Sequence, residues 1–198
     1  MGKRSVLLFL VISFIGFVIV YWFWPHNEKL PILDKVDAFQ LEDVHGETYQ
    51  LNNGKIKLIT FFYTNCPDIC PLTMMDFKEL QSELKEEGLF GEKVELVAIS
   101  FDPENDQQQT IKQYAKSFQT DLSGWKWLRG TPEETKQIAG GLQMQYQKLE
   151  GDFFSHSTTM YLLDQHNNIR AIYSMANANK PIEKKDILED IFFLADHF

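Results

Sequence analysis

The stretch Ile-Thr-Phe-Phe-Tyr-Thr-Asn-Cys-Pro-Asp-Ile-Cys-Pro, residues 59–71, decides how this chain is interpreted. It opens with an apolar and β-branched run that predicts a buried strand. The only two cysteines of the chain, Cys66 and Cys70, follow that run, and Pro71 is well placed to open a helix. A thiol at the start of a helix meets unpaired backbone N–H groups, which lower its pKa from the free value of about 8.5. The two cysteines are therefore expected to act as a chemical pair.

Two kinds of chemistry are open to this pair. Residues at i and i+4 point the same way on a helix, so both sulfurs can reach one point, either as a dithiol that cycles to a disulfide or as soft ligands for a metal. A purely structural disulfide is disfavoured, because closing a loop of about five residues contributes only roughly 2 kcal/mol. A zinc site of four cysteines is excluded, because the chain has 2.

The N-terminus predicts a membrane anchor. Residues 5–24 carry no charge and end in an aromatic cluster, and as a helix they would span about 30 Å, the thickness of a bilayer core. Lys3 and Arg4 suit the cytoplasmic side. An uncleaved signal anchor is favoured over a cleaved signal peptide, because no small-x-small site precedes Pro25. The prediction is a single-pass cell-membrane protein with a cytoplasmic segment 1–4, a transmembrane segment 5–24, a tether 25–35 and a domain 36–198 outside the cytoplasm.

The remaining part, residues 36–198, is long enough for one domain with a hydrophobic core. The whole chain has a net charge of -9, which argues against nucleic acid as a partner. The predicted strands are 39–42, 48–51, 57–64, 94–101, 125–128, 158–163 and 169–175. Four helices are predicted. The first covers 72–87, and the second is capped by Asn105 or Asp106 and runs to 118. The third runs from the capping box at 131–134 to Gly140-Gly141, and the fourth is opened by Pro181.

This order predicts an α/β fold with a mixed central sheet flanked by helices. A cysteine pair at the end of the first central strand is the thioredoxin-like arrangement, in which ligand sites lie at the carboxyl ends of parallel strands.

His156 is the histidine that such a fold brings towards the cysteines. It ends a predicted loop, residues 147–155, and precedes a strand that would neighbour the cysteine-bearing one. His156 could thus complete a site of two thiolates and one imidazole, although a lone histidine before a strand is more often structural. The other histidines are interpreted as solvated surface residues: His26, His45, His166 and His197.

The chain resembles the Sco/SenC proteins, membrane-anchored copper chaperones of cytochrome c oxidase assembly. The resemblance covers nearly the whole chain, and three stretches carry it: FFYTNCPDICP at 61–71, SFDPEND at 100–106 and HSTTMYL at 156–162. It implies that Cys66, Cys70 and His156 bind copper, as Cu(I) or Cu(II), and that the protein helps to load the dinuclear copper site of oxidase subunit II. Oxidation of the cysteines to a disulfide would release the metal.

One position departs from the family pattern. Many members carry an aspartate just before the histidine, where this chain has Ser155, so another group must orient the imidazole. Asp102 is a candidate for that role, although a place in the turn before the next helix explains it equally well. Tyr63 could shield the site. Three methionines close to the motifs are interpreted as core residues rather than copper ligands: Met74, Met75 and Met160.

A competing hypothesis is a membrane-tethered thiol-disulfide oxidoreductase that acts on the cysteines of subunit II or of another protein outside the cytoplasm. Because dithiol cycling does not need His156, the substitution His156→Ala separates the two hypotheses. A peroxidase is a weaker third hypothesis, since no arginine lies near the cysteine motif in the sequence.

Overall fold

The computed structural model describes residues 2–23, 30–149 and 153–197, in two units, Met1–Pro31 and Ile32–Phe198. In the first unit, helix α1 covers Lys3–Phe23. The side chains described in that helix, residues 9–19, are exposed. Among the described residues, no helix is both long and apolar enough to cross a membrane. The anchor therefore stays a prediction, and residues 24–29 of the predicted anchor end and tether lie outside the described residues.

The second unit is built on three parallel strands. Strands β4 (Ile56–Phe62), β5 (Val94–Ser100) and β6 (Trp125–Arg129) lie side by side in that order. Every residue of β4 and β5 is buried, as expected for near-continuous apolar runs in the middle of a parallel sheet. The sequence predicted all three strands to within about two residues at each end.

Antiparallel strands extend the sheet on both sides. Beyond β6 lies the hairpin of β2 (Gln40–Asp43) and β3 (Thr48–Gln50). Beyond β4 lies the hairpin of β9 (Thr159–Leu163) and β10 (Asn168–Ser174). The predicted pairing of β9 with the cysteine-bearing strand β4 is thus confirmed.

A short strand, β1 (Asp34–Lys35), pairs with β10 and completes an eight-stranded sheet of order β1-β10-β9-β4-β5-β6-β2-β3. The sequence pattern predicted Asp34 and Lys35 as part of the tether. That assignment was wrong, because their backbone belongs to the sheet, and two residues carry too short a pattern to reveal a strand.

Four helices pack around this sheet: α2 (Ile69–Glu86), α3 (Gln108–Lys116), α4 (Pro132–Gly141) and α5 (Lys184–Asp196). The predicted capping box is present at Thr131 and Glu134. The cap predicted for α3 at Asn105 or Asp106 was wrong, since α3 begins after Gln107 without a side-chain cap. Helix α2 begins at Ile69 rather than at Leu72, so Cys70 lies in its first turn.

The predicted loop before His156 is a hairpin. Strand β7 (Tyr146–Lys148) pairs with β8 (Phe154–His156) as a two-stranded sheet separate from the main one. Tyr146 is paired with His156 across the two strands. The loop prediction was therefore wrong for the described residues, and His156 is the last residue of a strand.

Candidate metal and redox site

Cys66 and Cys70 flank the start of helix α2. Cys66 lies in the turn after β4 and is half-buried, whereas Cys70 is fully buried in the first turn of the helix. Both are free thiols. The backbone N–H of Cys70 donates to Sγ of Cys66 at 3.4 Å. The Cys66 sulfur thus accepts from one of the N–H groups that a helix leaves unpaired at its N-terminus.

The two thiols differ in acidity. The pKa of Cys66 is lowered to about 4, mainly by hydrogen bonding from Cys70. Burial acts in the opposite direction. Hydrogen bonds from His156 and from the backbone N–H groups of Asp68 and Cys70 lower the pKa further. The pKa of Cys70 is raised, first because it donates to Cys66 and second because it is buried. Cys66 is therefore the thiolate at neutral pH, and Cys70 is the thiol that supports it.

His156 is oriented by the backbone. Its Nδ1 atom lies 2.9 Å from the carbonyl oxygen of Ser157. A carbonyl oxygen only accepts, so Nδ1 carries the hydrogen and Nε2 is the ring nitrogen left for another partner. Burial lowers the pKa of His156, but hydrogen bonds to Cys66 and Ser157 and the charge of Cys66 together raise it above its ordinary value. The Ser157 carbonyl performs the orienting role that the sequence left open at Ser155.

Aromatic rings hold the β7–β8 hairpin against the cysteine turn. Phe101 directly follows β5. Its ring centroid lies 5.5 Å from that of Tyr146, 5.0 Å from that of Phe154 and 4.9 Å from that of His156. Tyr63 lies 5.2 Å from Phe101 and 5.1 Å from Phe154. Tyr63 is 3% exposed, and its ring forms one wall of the site.

A buried carboxylate fixes the turn that leads to Cys66. Asp106 is fully buried and accepts from the backbone N–H of Thr64 at 3.1 Å, from the Thr64 hydroxyl and from the Ser100 hydroxyl. Its charge also contributes to the raised pKa of Cys70. Burial raises the pKa of Asp106 itself, although the hydrogen bonds from Ser100 and Thr64 act in the opposite direction.

In the sequence, Asp106 was predicted only as a possible helix cap, and not as a residue of the cysteine turn. The signal available was an acidic residue just after a buried strand, but its partner Thr64 is distant in sequence and becomes adjacent only through the parallel pairing of β4 with β5. Asp102, by contrast, accepts from the side chain of Asn105 and thus belongs to the turn before α3.

The remaining candidate residues fall into two groups. Met74 and Met160 are fully buried, as predicted for core residues, but Met75 is 60% exposed, so its assignment to the core was wrong. Three of the other histidines are exposed, as predicted: His45, His166 and His197. His26 lies outside the described residues.

Cys66 is the centre of the donor set. It interacts with both Cys70 and His156. Within the described part of the chain, no three His, Cys, Asp or Glu side chains are already grouped as a metal would need them. Two thiols and one imidazole are nevertheless the donors that a soft metal such as copper prefers. The residues present thus fit such a metal chemically, with Cys66 next to each of the other two donors.

Comparison with known sequences identifies a family. The sequence model of the SCO1/SenC family matches residues 29–190. The chain is 36% identical to SCO1 homolog 1, a mitochondrial protein of Arabidopsis thaliana, over 61% of this chain but only 36% of the relative's length. It is 28% identical to the SCO1 protein homolog of Bacillus subtilis, over 82% of this chain and 84% of that protein.

Solved structures with the same fold carry related names. A SCO1/SenC family lipoprotein from Bacillus anthracis matches with a TM-score of 0.76 at 29% identity, over 84% of this chain and 98% of that one. Arabidopsis thaliana ScoI with copper bound matches with a TM-score of 0.67 at 28% identity, over 82% and 99%. BsSco, described with a disulfide switch and as a member of the Sco family of cytochrome c oxidase assembly proteins, matches with a TM-score of 0.70 at 26% identity, over 83% and 96%.

Proposed function

Because this chain belongs to the SCO1/SenC family, we propose that it binds one copper ion through Cys66, Cys70 and His156 and takes part in assembling cytochrome c oxidase. Copper is cargo in this proposal, to be taken up and passed on. The observation that carries the proposal is the position of Cys66, which interacts with the second thiol and with the imidazole at once. The copper-bound Arabidopsis relative and the oxidase-assembly description of BsSco support the same conclusion.

The three side chains would enter the complex in different protonation states. Cys66 is already a thiolate at neutral pH, whereas Cys70 has to give up its proton. His156 has to be neutral, with Nδ1–H held by the Ser157 carbonyl and Nε2 free to bind. When bound, copper(I) would take two thiolates and one imidazole as soft ligands. The fold thus supplies one ligand ready to bind and two that exchange a proton for the metal.

Oxidation of the cysteine pair would control the cargo. Forming a bond between Sγ of the Cys66 thiolate and Sγ of the Cys70 thiol removes two electrons and the one proton of Cys70. A disulfide-bearing partner can accept the two electrons and that proton, together with one proton from the solvent, as it is reduced to a dithiol. Both thiolate ligands are consumed in that step. We therefore expect the reduced protein to hold copper and the oxidised protein to release it.

The finer assignments belong to the same proposal. The acceptor would be the dinuclear copper site of oxidase subunit II. Residues 5–24 would anchor the chain in the cell membrane, with the sheet domain outside the cytoplasm. These points derive from the family resemblance and from the uncharged N-terminal stretch.

A second function is favoured by a separate observation. Cys66 is half-buried rather than fully buried, and its pKa is about 4, so it presents a thiolate that a disulfide-bearing partner can reach. Cys70 lies beside it as the thiol that would resolve a mixed disulfide. The alternative is a thiol-disulfide oxidoreductase that reduces the cysteines of the oxidase subunit or of another protein outside the cytoplasm.

An anaerobic copper(I) titration of the reduced full chain tests the proposal. The variants are Cys66→Ala, Cys70→Ala and His156→Ala, with the exposed His166→Ala as the matched control. We expect one tightly bound copper per chain in the wild type and in His166→Ala, and a loss of affinity of at least about a hundredfold in each ligand variant. Weak or non-stoichiometric binding by the wild type, together with ready dithiol cycling that survives His156→Ala, would favour the oxidoreductase instead.

A further inference from the structure

Phe101 is the residue through which the end of β5 reaches the β7–β8 hairpin. Its side chain is 2% exposed, and its ring packs against three rings of the hairpin. Tyr146 on β7 lies 5.5 Å from it, and Phe154 and His156 on β8 lie 5.0 and 4.9 Å from it, between ring centroids. Both strands of the hairpin thus contact the same side chain of the body.

The backbone that carries Phe101 is fixed on both sides. Its N–H donates to the carbonyl oxygen of Phe62, the last residue of β4, at 3.0 Å. The hydroxyl of the preceding residue, Ser100, donates to the buried carboxylate of Asp106 and accepts from the N–H of Asp102 at 3.1 Å. Phe101 is therefore held by the cysteine-bearing strand and by the group that fixes the cysteine turn.

The imidazole of His156 is restrained at two places. Its Nδ1 atom lies 2.9 Å from the carbonyl oxygen of Ser157, and its ring lies against Phe101 with the two planes tilted by 48°. The hydrogen bond alone would let the ring turn about the line from nitrogen to oxygen, whereas the contact with Phe101 blocks part of that rotation. The two contacts together limit the direction in which Nε2 can point.

The hairpin depends on ring contacts because it is a sheet of its own. Strands β7 and β8 pair with each other, separately from the eight-stranded sheet. Lys148 of β7 also forms an ion pair with Glu104 at 3.5 Å, but their side chains are 41% and 68% exposed. An exposed pair of this kind contributes little. Buried aromatic pairs stabilise more strongly, because they add a favourable ring geometry to the burial of apolar area.

We propose that Phe101 is a positioning residue for the copper site, whose ring holds the β7–β8 hairpin and fixes the orientation of the His156 imidazole at the cysteine turn. This inference rests on the proposed function only where it treats His156 as a copper ligand. Phe101 binds no copper itself, because its hydrocarbon ring has no donor atom. It keeps the imidazole in place before copper arrives, so less ordering is needed when copper binds.

Amide hydrogen exchange of the reduced, copper-free full chain tests the inference without using copper. The variant is Phe101→Leu, and the matched control is Phe118→Leu. Phe118 is another buried phenylalanine, but its ring packs against Tyr114 and Trp127 of the body. Local opening of the hairpin breaks the contacts of Phe101 and leaves those of Phe118 intact. We therefore expect amides of β7 and β8 to exchange about tenfold faster in Phe101→Leu and at the wild-type rate in Phe118→Leu.

The ring protons of His156 provide a spectroscopic readout that general destabilisation would not move. In the wild type, the adjacent Phe101 ring shifts their NMR signals away from those of a solvated histidine, and the signals missing from His156→Ala identify them. In Phe101→Leu these signals should move towards the solvated positions. In Phe118→Leu they should stay where they are in the wild type.

Copper release is the third readout. The dissociation rate of copper(I) into a chelator should rise about tenfold in Phe101→Leu, because release follows the same opening of the hairpin, and stay unchanged in Phe118→Leu. The inference is overturned if the two variants respond equally, if hairpin exchange in Phe101→Leu equals that of the wild type, or if bound copper leaves Phe101→Leu at the wild-type rate. If the wild type binds no copper while the hairpin and the His156 signals still respond to Phe101→Leu, the proposed function fails and the positioning of His156 stands.

Discussion

The Nδ1 atom of His156 lies 2.9 Å from the carbonyl oxygen of the next residue, Ser157. This contact fixes which ring nitrogen carries the hydrogen and directs Nε2 away from the backbone. A ligating histidine commonly donates its second N–H to a carboxylate or a carbonyl group. The absence of an aspartate at position 155 is therefore no loss of orientation, because the chain's own backbone provides the acceptor.

Copper affinity should rise with pH, and His156 should account for part of the rise. The pKa of His156 is raised above 6.5, so the imidazole keeps its proton to a higher pH than free histidine and copper must displace that proton. Affinity should increase by up to about tenfold per pH unit for each displaced proton. Chelator competition at pH 6, 7 and 8 measures this dependence. The advantage of the wild type over His156→Ala should grow with pH, and a constant ratio across the range would contradict the assignment.

The two thiols should react at very different rates. With a pKa of about 4, Cys66 should be alkylated by iodoacetamide at a nearly constant rate from pH 6 to 8, while the buried Cys70 reacts slowly. In Cys70→Ala, Cys66 loses its strongest hydrogen-bond donor, so its pKa should rise and its alkylation should become pH-dependent. Mass spectrometry of the separate cysteine peptides gives both rates. Wild-type alkylation of Cys66 with a midpoint near the free value of about 8.5 would refute the predicted thiolate.

Asp106 should be important for stability. Asp106→Ala leaves the Thr64 N–H and two hydroxyls without their buried acceptor, so we expect a loss of about 2–4 kcal/mol in the free energy of unfolding. Asp106→Asn keeps an acceptor oxygen and should lose less. Denaturant unfolding measures both variants, and the exposed Asp37→Ala provides a control with little expected effect. If Asp106→Ala and the control were equally stable, Asp106 would not stabilise the cysteine turn.

Lys57 should make stability depend on pH in the alkaline range. This fully buried lysine of β4 donates to Oδ1 of Asn167 at 3.0 Å, and burial lowers its pKa from 10.5 to about 8. Between these two values the unfolded chain binds more protons at Lys57 than the folded one, so this residue's contribution to stability rises with pH. The difference in unfolding free energy between the wild type and Lys57→Met should therefore increase from pH 8 to 10.5. A flat difference would mean that Lys57 is charged equally in both states, and a falling difference would mean that its folded pKa is raised rather than lowered; either result contradicts the prediction.

The parts of this site that the sequence revealed are those built from local patterns. Three elements could each be predicted from a short stretch of neighbouring residues, and the structure confirms them: the apolar run before Cys66, the helix after it and the hairpin of β9 and β10. The β7–β8 hairpin was not legible, because its rings are matched by Tyr63 and Phe101, which lie far away in the sequence. Met75 was misassigned because the apolar side of α2 is broad enough to fit more than one orientation of the helix.

The separate hairpin that carries His156 has a consequence for how affinity and robustness can vary. Moving the hairpin away from the cysteines would disturb ring contacts, while the pairing of the eight-stranded sheet would persist. We therefore expect the affinity for copper to change more than the melting temperature of the domain when the hairpin is altered. Substitutions in the hairpin can change the rate at which copper is transferred to an acceptor, while the rest of the domain stays folded.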